Sequence, residues 1–155
     1  VIDFSLSSTQ KRLWVIDMEQ NKVILHSLVA HGRNSGEEFA TSFSNKLNSY
    51  QSSLGAYLTG ETYTGKHGFS MRLDGMDQDL NAMARERAVV VHAADYVSAS
   101  FVNEQGRLGR SQGCPAVPAE INKKLINLIK DQSVMYIYHS NLDKLEDAFK
   151  TPLFS

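Results

Sequence analysis

The chain carries a single cysteine, Cys114, in the segment Gly109-Arg110-Ser111-Gln112-Gly113-Cys114-Pro115. Most lone cysteines are small buried hydrophobes. This one lies in a polar, glycine-containing loop and not in an apolar strand. Gly113 allows close backbone approach or an unusual φ just before the thiol. A helix begins a few residues later, and its positive end together with Arg110 favours a thiolate. These features point to a nucleophile.

A thiol nucleophile needs a base, and the sequence offers His26, His31, His67, His92 and His139. His26 falls within a strand and His139 ends one, so both read as structural. His92 ends the apolar run Val89-Val90-Val91, where a rigid strand can hold an imidazole in place. His92 is the preferred base and His67 the second. His31-Gly32 and Lys66-His67-Gly68 lie in glycine-flanked loops that could line a site. A zinc site is disfavoured, because neither HExxH nor a histidine pair at ligand spacing occurs. Residues 109–113 formally fit G-x-S-x-G, but the chain is too short and too strand-rich for the α/β units that motif requires.

The elements that position these residues follow from pattern. Residues 12–18 and 23–30 read as a β-hairpin across the polar turn Glu19-Gln20-Asn21-Lys22. Residues 31–55 show no period and read as a long irregular stretch, a feature often tied to function. Tyr57–Gly60 and Tyr63–Gly65 read as short strands or turns. Residues 69–73 alternate as a half-buried strand, and 81–87 read as one or two helical turns. Residues 88–92 read as a central strand buried on both faces. Residues 96–105 form a short helix ended by Gly106. A clearer helix runs from Pro118, at its first position, to Asp131, with Ile121, Leu125, Leu128 and Ile129 on one face. Residues 134–138 form a strand, and Asn141 caps a last helix with Leu142, Leu145 and Phe149 on one face.

Strands dominate and helices come late, which predicts one mainly β or α+β domain over residues 1–155. A chain of 155 residues buries a core without disulfides or metal. Its 42% apolar and 21% charged residues exclude disorder and coiled coil. A net charge of −1 gives no basic excess for nucleic acid. No apolar run is long enough to span a membrane. The chain begins at Val1 without a leader pattern, as a mature or trimmed form does, so the missing leader does not argue for the cytoplasm.

Together, His92 and the later Ser111-Gln112-Gly113-Cys114 resemble the His…Ser/Thr-x-Gly-Cys signature of YkuD-type L,D-transpeptidases. The closer resemblance is to their divergent murein L,D-transpeptidase catalytic-domain branch. It extends over Leu13-Trp14-Val15-Ile16-Asp17, Val29-Ala30-His31-Gly32, Ser42-Phe43-Ser44-Asn45, Ser52-Ser53-Leu54-Gly55, Tyr63-Thr64-Gly65-Lys66-His67-Gly68 and Gly109–Ala116. It covers about residues 3 to 140.

The resemblance implies a YkuD-like mixed β-sheet sandwich with a few short helices, an exported protein of the bacterial periplasm or cell envelope, and peptidoglycan stem peptides as partners. No cofactor is implied. Cys114 would form a thioester with a stem peptide and His92 would shuttle the proton. Ser111 would support the catalytic pair, and the Gly113 and Cys114 N–H groups would form an oxyanion hole. An amine acceptor makes the domain a transpeptidase. Water makes it an L,D-carboxypeptidase or endopeptidase, and loss of turnover leaves a peptidoglycan-binding module. Three positions depart from the better-known enzymes: Ala93 where Gly usually follows the histidine, Gln112 where His is frequent, and Ala116 where Arg or Asn commonly anchors substrate. Arg110, His67, Gln112, Lys66 and Arg33 are the substrate-binding candidates.

Overall fold

A computed structural model describes residues 1–144. The apolar alternation and glycine punctuation of the chain build one mixed sheet. Its strands are β1 (Ile2–Asp3), β2 (Leu13–Asp17), β3 (Lys22–Ser27), β4 (Gly55–Gly65), β5 (Gly68–Gly75), β6 (Val90–Ala93), β7 (Ala116–Val117) and β8 (Val134–Tyr138). They lie in the order β3-β2-β1-β8-β4-β5-β6-β7. The β1/β8 and β6/β7 pairs are parallel, and the other neighbours are antiparallel. Among the described residues, the helices given a label are α1 (Ala99–Gln105) and α2 (Ala119–Ile129). The protein is mainly β with few short helices. Among the described residues, no helix is long and apolar enough to cross a membrane.

Local chemistry accounts for most of these boundaries. The β2–β3 hairpin turns where the Asp17 carboxylate accepts the Glu19 and Gln20 N–H groups. In α1 the Ser98 hydroxyl accepts the Phe101 N–H at 3.0 Å, and Gly106 ends the helix with φ 75°. In α2, Pro118 is the capping residue and not the first helical one.

Several sequence expectations are corrected. The two short segments at 57–60 and 63–65 form one strand, β4, whose pairing to β5 is irregular between Thr59 and Thr62. Residues 81–87 form a run of hydrogen-bonded turns and not a helix. Arg85 pins this run to the sheet through Glu61 of β4 and Asp74 of β5. On α2, Leu128 is exposed and Ile126 is buried. The 100° step places Ile126 beside Asn122 and Ile129 on the face that packs toward β5 and β6.

Strand β6 is buried, yet it lies second from the end of the sheet, beside the two-residue β7. Burial there comes from long-range neighbours. Ala30 bridges Ala116, and Gly32 bridges Ser111, so the 31–55 stretch begins as an extension of this edge. Residues 141–144 start a helical turn, with the Asn141 N–H donated to His139 Nδ1. Asn141 therefore lies inside the turn and does not cap it. Leu145 and Phe149 lie outside the described residues.

Candidate active site

Cys114 sits in the loop that leads into β7, and Gly113 is what lets that loop close. Its φ is 116°, and a Cβ at that position would meet Gln51 O at 2.7 Å. The Ser111 hydroxyl then ties the loop, accepting the Gly113 N–H at 3.1 Å and donating to Cys114 O at 2.6 Å. From outside the loop, Ser111 N–H donates to His31 O and Arg33 N–H donates to Ser111 O. Ser111 thus shapes the cysteine loop and makes no hydrogen bond to the imidazole.

The sulphur is held against the segment that enters β6. The Val90 N–H donates to Sγ at 3.4 Å, and Sγ–H points to Ala88 O at 3.6 Å. Ala88 has φ 55°, uncommon for a residue with a Cβ, and this bend turns its carbonyl toward the thiol. His92 lies on β6, in register with Ala116 of β7. Its Nδ1–H donates to the Ala93 carbonyl at 2.8 Å, so Nε2 carries the lone pair. A backbone carbonyl, and not Ser111, orients this imidazole.

The electrostatics differ from the sequence expectation. Burial pushes the Cys114 thiol up from its ordinary value, against the opposing pull of the Val90 N–H, Arg87 and Lys66. Burial also lowers His92; the Ala93 carbonyl opposes this, and the positive charges of His67 and Lys66 add to it. Burial thus favours the uncharged form of both groups. Arg110 does not activate the thiol, because it is held by Glu37 at 2.9 Å and by the Arg33 and Gly36 carbonyls.

A groove of about 590 Å³ gathers Cys114, His92, Ser111, Gln112, Arg110, Arg33, Lys66 and His67 into one lining. The His67 ring stacks on His92 with centroids 4.2 Å apart. The Arg33 guanidinium lies 4.2 Å from the centre of the Tyr50 ring. The Gly113 N–H is engaged by Ser111, while the Cys114 N–H is unbonded among the described residues. Tyr63 lines the groove, whereas Tyr57 is fully buried and donates its hydroxyl to Ser53 O.

His31 does not line the site. It is buried, accepts from Arg12 Nη2 at Nδ1 and donates from Nε2 to Gly36 O. His26 stacks on Trp14 and His139 packs on Phe43, both as structural residues.

Arg87 was not legible as a site residue. It reaches the Ser44 and Gln51 carbonyls and the Ser49 and Ser53 hydroxyls, and so binds the 31–55 stretch behind the cysteine. Its place at the end of a run read as one or two helical turns carried no signal. Among the described residues, no group of three or more His, Cys, Asp or Glu side chains is arranged to hold a metal ion.

One cysteine and one imidazole oriented by backbone thus share a groove with several cationic side chains. The chain belongs to the L,D-transpeptidase catalytic-domain family, with residues 1–138 matching. No curated protein matches it. Among solved structures it resembles the Ldtfm–avibactam carbamoyl enzyme, with 14% identity, TM-score 0.50, and coverage of 90% of this chain and 47% of that one. It also matches Bd1075 of Bdellovibrio bacteriovorus, with 17% identity, TM-score 0.39, and coverage of 94% and 58%. The chain spans about half the length of these structures.

Proposed function

We propose that this domain is a peptidoglycan L,D-transpeptidase of the bacterial cell envelope that works through a Cys114 thioester. The observation that carries the reading is the Nδ1–H bond from His92 to Ala93 O, which reserves Nε2 for the proton of a thiol in the same groove. His92 Nε2 takes the Sγ proton as Sγ attacks the carbonyl carbon of an L,D-peptide bond in a stem peptide. The tetrahedral oxyanion rests on the Cys114 N–H, a type of contact worth about 3–4 kcal/mol. The C–N bond then breaks, the leaving amine takes the proton from His92, and a thioester remains.

The amine of a second stem peptide attacks the thioester, His92 removes its proton, and Sγ leaves as thiolate and is reprotonated. Water in place of that amine would give an L,D-carboxypeptidase or endopeptidase. Arg33, Lys66, Gln112 and Arg110 are assigned to the stem-peptide carboxylates and amides, because a guanidinium matches a carboxylate in charge and shape. Ser111 is assigned to holding the cysteine loop.

The test is intact-protein mass spectrometry after mixing with a purified disaccharide-tetrapeptide, with Cys114→Ala alongside. The expected result is an acyl adduct on the parent protein alone, with D-alanine released and a cross-linked dimer in solution. An adduct resolved only to tripeptide would replace transfer by hydrolysis. Absence of adduct and product would overturn the enzymatic reading in favour of a binding module.

A further inference from the structure

His67 occupies the tight turn between β4 and β5 and is exposed, while His92 is buried beneath it on β6. Their rings are nearly parallel, 16° apart with centroids at 4.2 Å. Stacked rings show each other their faces and not their N–H groups, so no hydrogen bond carries a proton between them. What the stack transmits is charge. Two imidazolium rings at this separation repel, so the pair takes its first proton more readily than its second.

The two members are unequal. His92 is desolvated, and its Nδ1–H is already committed to Ala93 O. His67 is exposed to solvent. Other charges face the same groove. Lys66 comes from the β4–β5 turn, Glu86 and Arg87 from the turns before β6, Arg33 from the 31–55 stretch and Arg110 from the cysteine loop. Burial pushes both Cys114 and Tyr96 up from their ordinary values. Imidazole is the side chain whose charge ordinarily changes between pH 5 and 8.

We propose that His67 is a positioning residue for the base: stacked on His92, it takes the proton that the groove admits in mild acid and so leaves His92 Nε2 free to receive the thiol proton. This rests on the roles given above to Cys114 and His92. It assigns the tip of the β4–β5 hairpin to proton control and not to substrate contact alone. It also explains why an exposed histidine lies flat on a buried one when solvent was open to it. The stack helps the second half of the cycle too, because a cation beside the His92 imidazolium makes it a stronger acid toward the leaving amine.

The test separates charge from ring packing. His67→Phe keeps an aromatic face and removes the charge, while His67→Arg keeps a cation able to stack. In a Cys114→Ala background, NMR titration of His92 should show its midpoint rising by roughly 0.5–1 pH unit with Phe and staying near the parent value with Arg. In the active protein, His67→Phe should lower kcat/KM severalfold more at pH 5.5 than at pH 8, and Arg should restore the acid side.

An unmoved His92 midpoint in the Phe variant would overturn the proposal, as would an equal loss at both pH values. The NMR arm needs no turnover, so failure of the peptidoglycan reading and failure of this one are distinguishable. His67→Gln gives the same readout should the Phe variant misfold.

Discussion

The Val90 N–H donates to the Cys114 sulphur at 3.4 Å, from the strand that carries His92 two residues further on. The resting thiol is thus braced by backbone, with its proton toward Ala88 O, and makes no hydrogen bond to the imidazole. Burial favours the uncharged form of both groups. A neutral pair labels differently from a thiolate–imidazolium pair. The alkylation rate of Cys114 by iodoacetamide should climb steadily into alkali, with its midpoint above the ordinary thiol value and no plateau near pH 6. His92→Ala should leave that curve nearly unchanged while turnover falls by about 10³-fold or more. A fast plateau near neutrality that His92→Ala removes would show an ion pair instead.

The two catalytic candidates were legible because each sits in a short local pattern. An apolar run ending in His92 is a strand end, and a cysteine after Gly113 in a polar loop is poorly placed for a core. What surrounds them was not local. Arg87 acts through serines and carbonyls between residues 44 and 53, and only the fold brings those groups to it. The 31–55 stretch shows no period because its buried serines satisfy backbone groups and do not alternate across a sheet, as when Ser52 Oγ accepts the Gly32 N–H. The sheet order that places β6 near an edge depends on pairings across the whole chain. The bend at Ala88 has no residue-type signature, since alanine ordinarily avoids positive φ.

The buried Arg12–His31 contact makes the fold sensitive to acid. Arg12 is fully buried, donates to Val29 O and Leu6 O, and holds His31 Nδ1 at 2.9 Å. Burial first, and then the Arg12 charge, push His31 down to about 4. Above pH 6.5 the imidazole is neutral in both the folded and unfolded chain and contributes no slope. As pH falls from 6.5 toward 4, the unfolded chain takes up the proton and the folded one resists it. Stability is therefore lost across that window, by about 3 kcal/mol in all. Urea midpoints measured from pH 7.5 to 4 should show this loss, and His31→Gln should remove most of the slope.

Gly113 offers a sharper test of how the cysteine is held. Its φ of 116° is hostile to any side chain, and an added Cβ would press on Gln51 O. Gly113→Ala should cost roughly 1–3 kcal/mol of stability. It should also displace the Ser111–Gly113 contact that fixes the loop, lowering kcat by about 10²-fold, the cost typical of an ångström-scale misplacement. Thermal unfolding and kcat measured on the same preparation check both. A stable but inactive variant would confine the effect to loop geometry, and full activity would show that the loop does not need this conformation.

Arg110 and Glu37 set a competition at the mouth of the groove. Arg110 Nη1 meets Glu37 Oε1 at 2.9 Å, and Arg107 Nε approaches Glu37 Oε2 at 3.2 Å, so one exposed carboxylate bridges two guanidinium groups. A stem-peptide carboxylate that binds Arg110 must share it with Glu37 or displace it. Neutralising the competitor leaves the cation available, so Glu37→Gln should lower KM about two- to fivefold with kcat unchanged, because it alters binding and not the chemical step. Arg110→Ala should lower kcat/KM by about 10-fold to 10²-fold, the loss of a charge-assisted hydrogen bond to substrate, with thiol alkylation nearly unaffected. The double variant should resemble Arg110→Ala alone, since Glu37 acts on substrate through Arg110. A KM that rises in Glu37→Gln would show instead that Glu37 holds Arg110 in its productive pose, and the double-mutant cycle measured by steady-state kinetics decides between the two.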